Sequence, residues 1–367
     1  MMKSLYIANC QSLADYPKQD VKVWTGIYSV LGFNVSLVDR TGRLKLPFNF
    51  ELYEPFRLPT DLNGFTDTYE DCCNNRVKDI LAIQQREQVP IALLYSGGID
   101  STLVLVSFAK LLGAALKDRV TVFLSTDSIK ENPKFYYSFV RKNCRLDSSE
   151  KFSYLFDGSH IIVGGEHNDQ LFGSDIIGKI TRARSYEDSQ LRCTRENITG
   201  FFKQEGMEQQ TADAWFDLLS EHARGAPCAI ETVFDFFWWL NFVFKWQNVY
   251  FRMLLRINKE QYKHINRPFI EKYYHHFYSS QAFQRWAILN KDLKIKSSWR
   301  SYKFHAKEII YNFNRDRDYL ENKAKIGSLS RLFVQKRAAV ALTSNCEYLH
   351  QVDPGAFYNP INSFVRA

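Results

Sequence analysis

The chain has 367 residues, of which 45% are hydrophobic and 24% are charged, and its formal charge at pH 7 is +8. This balance is typical of a folded globular protein of one large or two medium domains, and it excludes a disordered, low-complexity or fibrous chain. The positive charge alone does not separate binding of nucleic acid from an ordinary solvated surface.

Residues 1–84 contain short apolar segments, such as Leu5–Ala8 and Val35–Val38. Turn signals at Asp39–Gly42 and Leu58–Asp61 interrupt them. This pattern predicts a small strand-rich N-terminal lobe or an extended cover.

Residues 85–180 show strands that alternate with helices. The apolar run Ile91–Tyr95 leads into a glycine pair, and Ser101–Gly113 has the hydrophobic spacing of a helix. Val120–Leu124 and His160–Val163 are predicted to be two further buried strands. The pattern predicts an α/β fold with a parallel sheet, whose ligands bind at the carboxyl ends of the strands.

Residues 181–367 are rich in aromatic and long charged side chains and are predicted to be mainly helical. The aromatic block Phe236–Gln247 stands out in this stretch. A block of this kind usually packs in a core, although Asn241 and Lys245 lie four residues apart on one helical face and are candidates for pointing into a site.

The seven cysteines predict reduced thiols and no structural metal, because no Cys-x-x-Cys pair occurs and Cys72 and Cys73 are adjacent. No apolar run reaches the ~18 to 20 residues that cross a bilayer, and Met1–Ser4 lacks the features of a signal peptide. We therefore expect a cytoplasmic protein that has no membrane partner.

A loop with the sequence SGGIDS follows the first buried strand and comprises Ser96, Gly97, Gly98, Ile99, Asp100 and Ser101. Its glycines permit a tight turn in which backbone N–H groups and the dipole of the next helix face one anion, and its serines add hydroxyl donors. Asp100 would repel a bare phosphate, so its presence implies Mg²⁺ between the two. A plain strand-to-helix turn capped by Ser101 is the alternative.

A second motif, GGEHNDQLFG, occupies residues 164–173 after another predicted strand. The first motif resembles the pyrophosphate loop of the N-type ATP pyrophosphatases, and the second resembles the SGEGSDELFG signature of the asparagine synthetase synthase domain. The resemblance implies an adenine nucleotide alpha-hydrolase-like (PP-loop) core that splits ATP to AMP and pyrophosphate. A polar loop with Leu171 and Phe172 packed beneath it is the alternative.

The resemblance implies a role for each matching residue. Asp100 and Asp169 would coordinate Mg²⁺, and Glu166 would act in the amide-forming half-reaction. His167, which replaces a glycine of the family pattern, is either a second candidate base or a packed residue. The implied contacts to ATP are Ser96, Gly97, Gly98, Asp100, Ser101, Leu124, Gly164 and Gly165.

Two later segments keep the order of the family, so that residues 181–310 are synthetase-like. Asn266–Glu271 resembles its RVPFLD turn, and Lys303–Glu308 resembles its KxxLRE helix start. The resemblance implies that Lys303 stabilises the phosphate charge that develops during adenylation. Because Lys303 also belongs to the basic amphipathic stretch Lys294–Lys307, an ordinary solvated face is equally open.

The departures from the family concern the substrates. Residues 1–84 are too few for a glutaminase domain, position 2 is Met2 where the family has a nucleophilic cysteine, and we expect Cys10 to be buried. Nitrogen would then come from ammonia, a substrate amine or a separate amidotransferase. The aromatic block stands where the family carries an acidic residue that positions the amino acid. The expected acid is therefore not fixed as aspartate, and an analogue of aspartate stays open beside it.

Together, these features predict an ATP-dependent amide-forming ligase: a small carboxylic acid is adenylated and then transferred to ammonia or another amine. One alternative is a PP-loop enzyme that adenylates a nucleic-acid base, because the third stretch is basic and aromatic. The other is a non-catalytic nucleotide-binding partner protein, against which the intact set of Asp100, Glu166 and Asp169 argues.

Overall fold

Two β-sheets organise the part of the chain that the computed structural model describes, namely residues 2–8, 38–44, 47–173, 177–178, 180, 185–257, 259–324 and 340–359. Of the predicted segment Val35–Val38, only Val38 lies among these residues, and Cys10 lies outside them. The strands are β1 (Ser4–Ala8), β2 (Ile91–Leu94), β3 (Val120–Leu124), β4 (Arg145–Ser148), β5 (Ile161–Gly164), β6 (Tyr274–His276), β7 (Val340–Thr343) and β8 (Tyr348–His350).

The larger sheet is parallel throughout and has the strand order β4-β3-β2-β5-β6. The predicted α/β fold with a parallel sheet is therefore confirmed. The chain runs outwards from β2 through β3 to β4, and then returns to the other side of β2 with β5. The carboxyl ends of β2 and β5 thus flank the point where the strand order reverses, which is where open α/β sheets bind their ligands.

Helices cover both the sheet and one another. The α-helices of five or more residues are α1 (Tyr69–Glu87), α2 (Ile99–Leu112), α3 (Thr126–Glu131), α4 (Asn168–Phe172), α5 (Arg195–Gln204), α6 (Gln209–Ala223), α7 (Val233–Phe244), α8 (Trp246–Phe251), α9 (Arg267–Tyr273), α10 (Gln281–Leu289), α11 (Phe304–Asn314) and α12 (Arg317–Asn322). The other helical segments of the described residues are short α-helices, 3₁₀ turns and one π turn, and they lie at Glu54–Phe56, Gly113–Ala115, Leu116–Arg119, Pro133–Phe135, Tyr136–Val140, Arg141–Asn143, Ser149–Leu155, Tyr186–Ser189, Arg252–Arg256, Lys259–Tyr262, Phe277–Ser279, Lys291–Leu293, Trp299–Ser301 and Pro354–Phe357.

The central strands of the parallel sheet are the ones that hydropathy predicts. β3 and β5 are buried along their whole length, and β2 along most of it, because helices cover both faces. The edge strand β4 has the sequence RLDS and is largely accessible, and β6 has the sequence YHH. Neither carries a continuous apolar run, and the sequence does not predict them.

Helix α2 begins at Ile99, two residues before the predicted start at Ser101, and ends at Leu112 with the predicted Gly113 as its C-cap. The helical stretch Ile99–Arg119 has the length and apolar composition of a membrane span, and 61% of its apolar window is buried inside the protein. Because α2 packs against α1 and α11, the same apolar composition serves a protein core. One such helix is weak evidence for a membrane span.

The first and third predicted stretches share the smaller sheet. β1 pairs with β7 in antiparallel register, with Ser4 opposite Thr343 and Ala8 opposite Val340, and β8 follows on the far side of β7. The predicted boundary at residue 84 lies inside α1, a 19-residue helix that starts with a capping box between Thr68 and Asp71. Among the described residues up to 84, β1 is the one named strand. Helix α1 packs against α2 and so belongs to the core around the parallel sheet.

The aromatic block forms the consecutive helices α7 and α8, and all their residues are buried. Its expected place in the core is therefore confirmed. The indole N–H of Trp238 donates to the carbonyl oxygen of Leu171 (3.1 Å), which ties α7 to the second motif.

A buried carboxylate attaches residues 38–44 to this helical region. Oδ1 of Asp39 lies 2.9 Å from Nε2 of His222 on α6 and also accepts hydrogen bonds from Thr41, while Oδ2 accepts the backbone N–H groups of Arg43 and Leu44. Burial alone would raise the pKa of Asp39, but the hydrogen bonds and the charge of His222 leave it below the usual value. The ionised form is therefore the one that the fold stabilises.

We expect Asp39→Asn to destabilise the protein by about 3 kcal/mol at pH 7, because it removes the carboxylate charge that pairs with His222 inside a buried hydrogen-bond network. The folded pKa is lowered, so this contribution is present above the unfolded value of about 3.9 and is lost as the pH falls through the folded pKa. Urea unfolding from pH 7 to pH 3 measures both effects. The exposed Asp127→Asn serves as the control, and an equal loss in the two variants would contradict the prediction.

Candidate active site

The two motifs meet at the carboxyl edge of the parallel sheet. A Cβ atom placed on Gly165 would lie 3.2 Å from the backbone nitrogen of Ser101 and 3.4 Å from the carbonyl carbon of Asp100. The loop after β5 therefore runs directly against the start of α2. Gly164 is equally constrained, because its Cβ would lie 2.6 Å from Nδ1 of His276.

The loop of residues 96–101 has a backbone that requires glycine. Gly97 has a φ of +78°, and a Cβ there would lie 2.1 Å from the carbonyl oxygen of Ser128. The hydroxyl of Ser101 closes the loop, because it accepts the backbone N–H of Ser96 (3.1 Å) and lies 3.0 Å from the Ser96 hydroxyl. The 14-residue helix α2 thus begins directly after a fixed turn. Its first N–H groups and the positive end of its dipole face the carboxyl edge of the parallel sheet.

Asp100, Asp169 and Lys303, called here the acid–lysine cluster, meet beside this loop. Nζ of Lys303 donates to both carboxylate oxygens of Asp100 (2.7 Å each) and to Oδ1 of Asp169 (2.6 Å). The side chain of Lys303 is 1% exposed, whereas each aspartate side chain is 24% exposed. Lys303 therefore does not belong to a solvated face, and the cluster opens to solvent through its carboxylates.

The backbone around Lys303 directs this side chain inwards. Lys303 precedes α11 with a left-handed backbone (φ +58°, ψ +35°), and its N–H donates to the carbonyl oxygen of Lys294 (3.1 Å). A left-handed conformation costs a non-glycine residue about 1 kcal/mol or more, so the surrounding contacts must hold it. The predicted helix start at this residue is confirmed.

Three residues that the sequence does not single out hold Asp100. The amide of Asn168 donates to Oδ1 of Asp100 (2.7 Å) and accepts the hydroxyl of Tyr69 (2.6 Å). The hydroxyl of Tyr278 donates to the backbone carbonyl of Asp100 (2.8 Å). Asn168 lies inside the second motif, where its polarity is a signal, but the two tyrosines come from distant segments and carry no local signal.

Glu166 forms an ion pair with Arg252, from the helical turn that follows α8. Both side chains are mostly buried, with 19% and 12% of their surfaces exposed. A charge-assisted hydrogen bond of this kind orients the carboxylate. Arg252 is a further residue that the sequence does not single out.

His167 packs beneath the second motif. Its Nε2 lies 2.9 Å from the carbonyl oxygen of Trp246, and its ring centroid lies 4.5 Å from that of the Trp246 indole. Burial lowers the pKa of His167 well below its usual range, and burial also lowers the pKa of the neighbouring His276 to about 4. Both imidazoles are therefore neutral near pH 7. Of the two interpretations of His167, a second base or a packed residue, the structure favours the packed residue.

The remaining candidates lie at the margin of the site. Leu124 is the last residue of β3 and is 8% exposed. The amide of Asn241 lies 3.4 Å from the backbone carbonyl of Asp169, so α7 contacts the cluster from below. Lys245 is buried with only 6% of its surface exposed.

The cluster is chemically suited to Mg²⁺. The two carboxylates already bind one cation, the Lys303 ammonium, so they reach a common point. Within the described ranges no group of three or more His, Cys, Asp or Glu side chains is arranged for a metal ion. Two carboxylates without a third protein ligand are the usual donor set where substrate phosphates complete the shell of Mg²⁺.

We expect Gly97→Ala to destabilise the protein more than Gly206→Ala. Gly206 has a φ of +91° and open space around its Cα, so alanine adds only backbone strain of about 1 kcal/mol. Alanine at Gly97 meets the same strain and a backbone oxygen, at a further cost of about 2 kcal/mol. Urea unfolding compares the free energies of unfolding of the two variants. Equal losses would show that the loop is not held this close to the carbonyl oxygen of Ser128.

No protein-family model matches the chain, and no curated protein or solved structure matches it either. The resemblance at residues 96–101 and 164–173 is therefore local. Function has to be argued from the geometry and the chemistry of the acid–lysine cluster and its surroundings.

Proposed function

We propose that this chain is an ATP-dependent amide-forming ligase of the asparagine synthetase type, with a PP-loop core that releases AMP and pyrophosphate. The observation that carries the proposal is the acid–lysine cluster. Asp100, Asp169 and Lys303 come from three separate motifs, and they share hydrogen bonds at the carboxyl edge of a parallel sheet. A plain strand-to-helix turn would not require this convergence of charges.

The loop of residues 96–101 binds the phosphate chain. Its backbone N–H groups and the start of α2 supply donors and a positive dipole, and the side-chain-free Gly165 leaves room beside them. Lys303 adds a compact positive charge that stabilises the negative charge on the phosphate oxygens as it develops in the transition state. Positioning and electrostatic stabilisation of this kind supply most of the catalysis in phosphoryl transfer.

Asp100 and Asp169 would hold Mg²⁺, which supplies neutralisation of phosphate charge when it is bound. Asn168 and Tyr278 keep Asp100 in place for this purpose, because they bind its side chain and its backbone. The carboxylate of a small acid, aspartate or an analogue, attacks the α-phosphorus. The products of this step are an acyl-adenylate and pyrophosphate.

Glu166 serves the second step, in which ammonia or another amine attacks the acyl-adenylate and AMP leaves. The incoming nitrogen must lose a proton, and an ionised carboxylate within hydrogen-bond reach accepts it. Arg252 orients the Glu166 carboxylate through their ion pair. His167 takes no part in proton transfer, because its imidazole is buried and bonded to a backbone carbonyl.

ATP–pyrophosphate exchange tests the first step directly. We expect exchange with one or more small carboxylic acids, and a loss of about 100-fold or more in Asp169→Asn, since one group that binds the transition state is removed. Asp217→Asn, an exposed change outside the site, should leave the exchange rate unchanged. Exchange only with RNA or DNA, and with steep salt dependence, would instead favour a nucleic-acid modifier. Exchange with no compound in the panel would overturn the proposal.

Glu166→Gln should separate the two steps. We expect it to retain pyrophosphate exchange, because adenylation does not use Glu166, and to lose about 100-fold in amide formation, because the general base is absent. The measurement compares exchange with the release of AMP and amide in the same preparation. An equal loss in both reactions would place Glu166 in nucleotide binding rather than in proton transfer.

A further inference from the structure

The Lys303 ammonium is fully engaged within the acid–lysine cluster. An ammonium group has three N–H donors, and Lys303 directs three hydrogen bonds to carboxylate oxygens, two to Asp100 and one to Asp169. With 1% of its side chain exposed, Lys303 has almost no contact with water. Its charge is therefore compensated by these two carboxylates.

This arrangement conflicts with the site that nucleotide binding requires. The same two carboxylates would hold the metal ion, and the same ammonium would contact the phosphates. A divalent cation and an ammonium repel each other strongly when they share oxygen ligands at hydrogen-bond distance. Lys303 and a metal ion therefore compete for Asp100 and Asp169.

We propose that Lys303 acts as an internal counter-ion of Asp100 and Asp169 in the nucleotide-free protein, so that divalent metal binds only together with the nucleotide. This inference rests on the proposed function. The triphosphate provides the ammonium with a new anionic partner, and its transfer there releases both carboxylates. The true substrate is then the metal–nucleotide complex, and free metal does not load the site in advance.

The surrounding residues favour a side-chain exchange rather than a rearrangement of the fold. Asn168 and Tyr278 bind Asp100 independently of Lys303, so the carboxylate keeps its place when the ammonium leaves. The backbone of Lys303 is held by Lys294, and its long flexible side chain is the part that moves. Linkage then requires metal and nucleotide to raise each other's affinity by the same factor.

The test measures binding of Mn²⁺ alone by electron paramagnetic resonance, with no nucleotide present. Wild-type protein should bind Mn²⁺ weakly, and Lys303→Met, which removes the charge and keeps the length of the chain, should bind it at least about tenfold more tightly. Lys296→Met is the matched control, because it removes an exposed lysine charge nearby without touching the cluster. Adding Asp169→Asn to Lys303→Met should abolish the gain.

Several results would overturn the inference. These are equal Mn²⁺ affinity in wild type and Lys303→Met, the same gain in Lys296→Met, or tight binding by wild type that Asp169→Asn removes. If Lys303→Met does not fold, the wild-type protein still decides: Mn²⁺ must bind with a non-hydrolysable ATP analogue and not without it. The metal-only measurement is independent of nucleotide. A gain in Lys303→Met without any binding of ATP by wild type would therefore overturn the proposed function and the coupling to nucleotide, and would support the counter-ion role of Lys303.

Discussion

The hydrogen bonds that Lys303 donates to Asp100 and Asp169 join segments that lie 203 and 134 residues apart in the chain. A buried ammonium is tolerated only when its charge is paired and its donors are satisfied, so these bonds constrain where α11 starts relative to α2 and α4. The left-handed backbone of Lys303 is the local cost of that constraint. The edge of the sheet, the loops of the two motifs and the segment Lys303–Glu308 are thereby fixed as one unit.

The buried aromatic helices α7 and α8 pack against this unit. Trp238 binds the backbone of Leu171, Asn241 reaches the backbone of Asp169, and His167 packs on Trp246. The aromatic block and the histidine of the second motif are both departures from the asparagine synthetase pattern, and here they contact each other. The two departures thus belong to one buried layer beneath the motif, which also contains the polar side chains of Asn241 and Lys245.

The sequence predicts those parts of the molecule whose cause is local. β2, β3 and β5 are apolar because they are buried on both faces, and Gly97 marks a crowded, left-handed turn that favours glycine. β4 and β6 owe their place to neighbouring strands, so their own residues give little signal. Helix α1 is different, because its buried residues recur at helical spacing after the capping box of Thr68 and Asp71. The sequence therefore carries a local signal for this helix, which the prediction of a strand-rich lobe missed. Contacts such as those of Arg252 with Glu166 and Tyr69 with Asn168 depend on tertiary distance, which hydropathy and spacing do not contain.

Arg40 has a consequence for how the chain reaches its folded state. Its guanidinium is buried against Trp246 and donates to the carbonyls of Phe56 and Phe242 and to the side chain of Gln284, 244 positions later. Ser4 in β1 likewise pairs with Thr343 in β7, far along the chain. Contacts of such sequence separation form slowly, since long loops must close first. During synthesis on the ribosome, β1 and Arg40 are therefore made long before Thr343 and Gln284, and the apolar residues of β1 remain unpaired with β7 until the chain has reached residue 343.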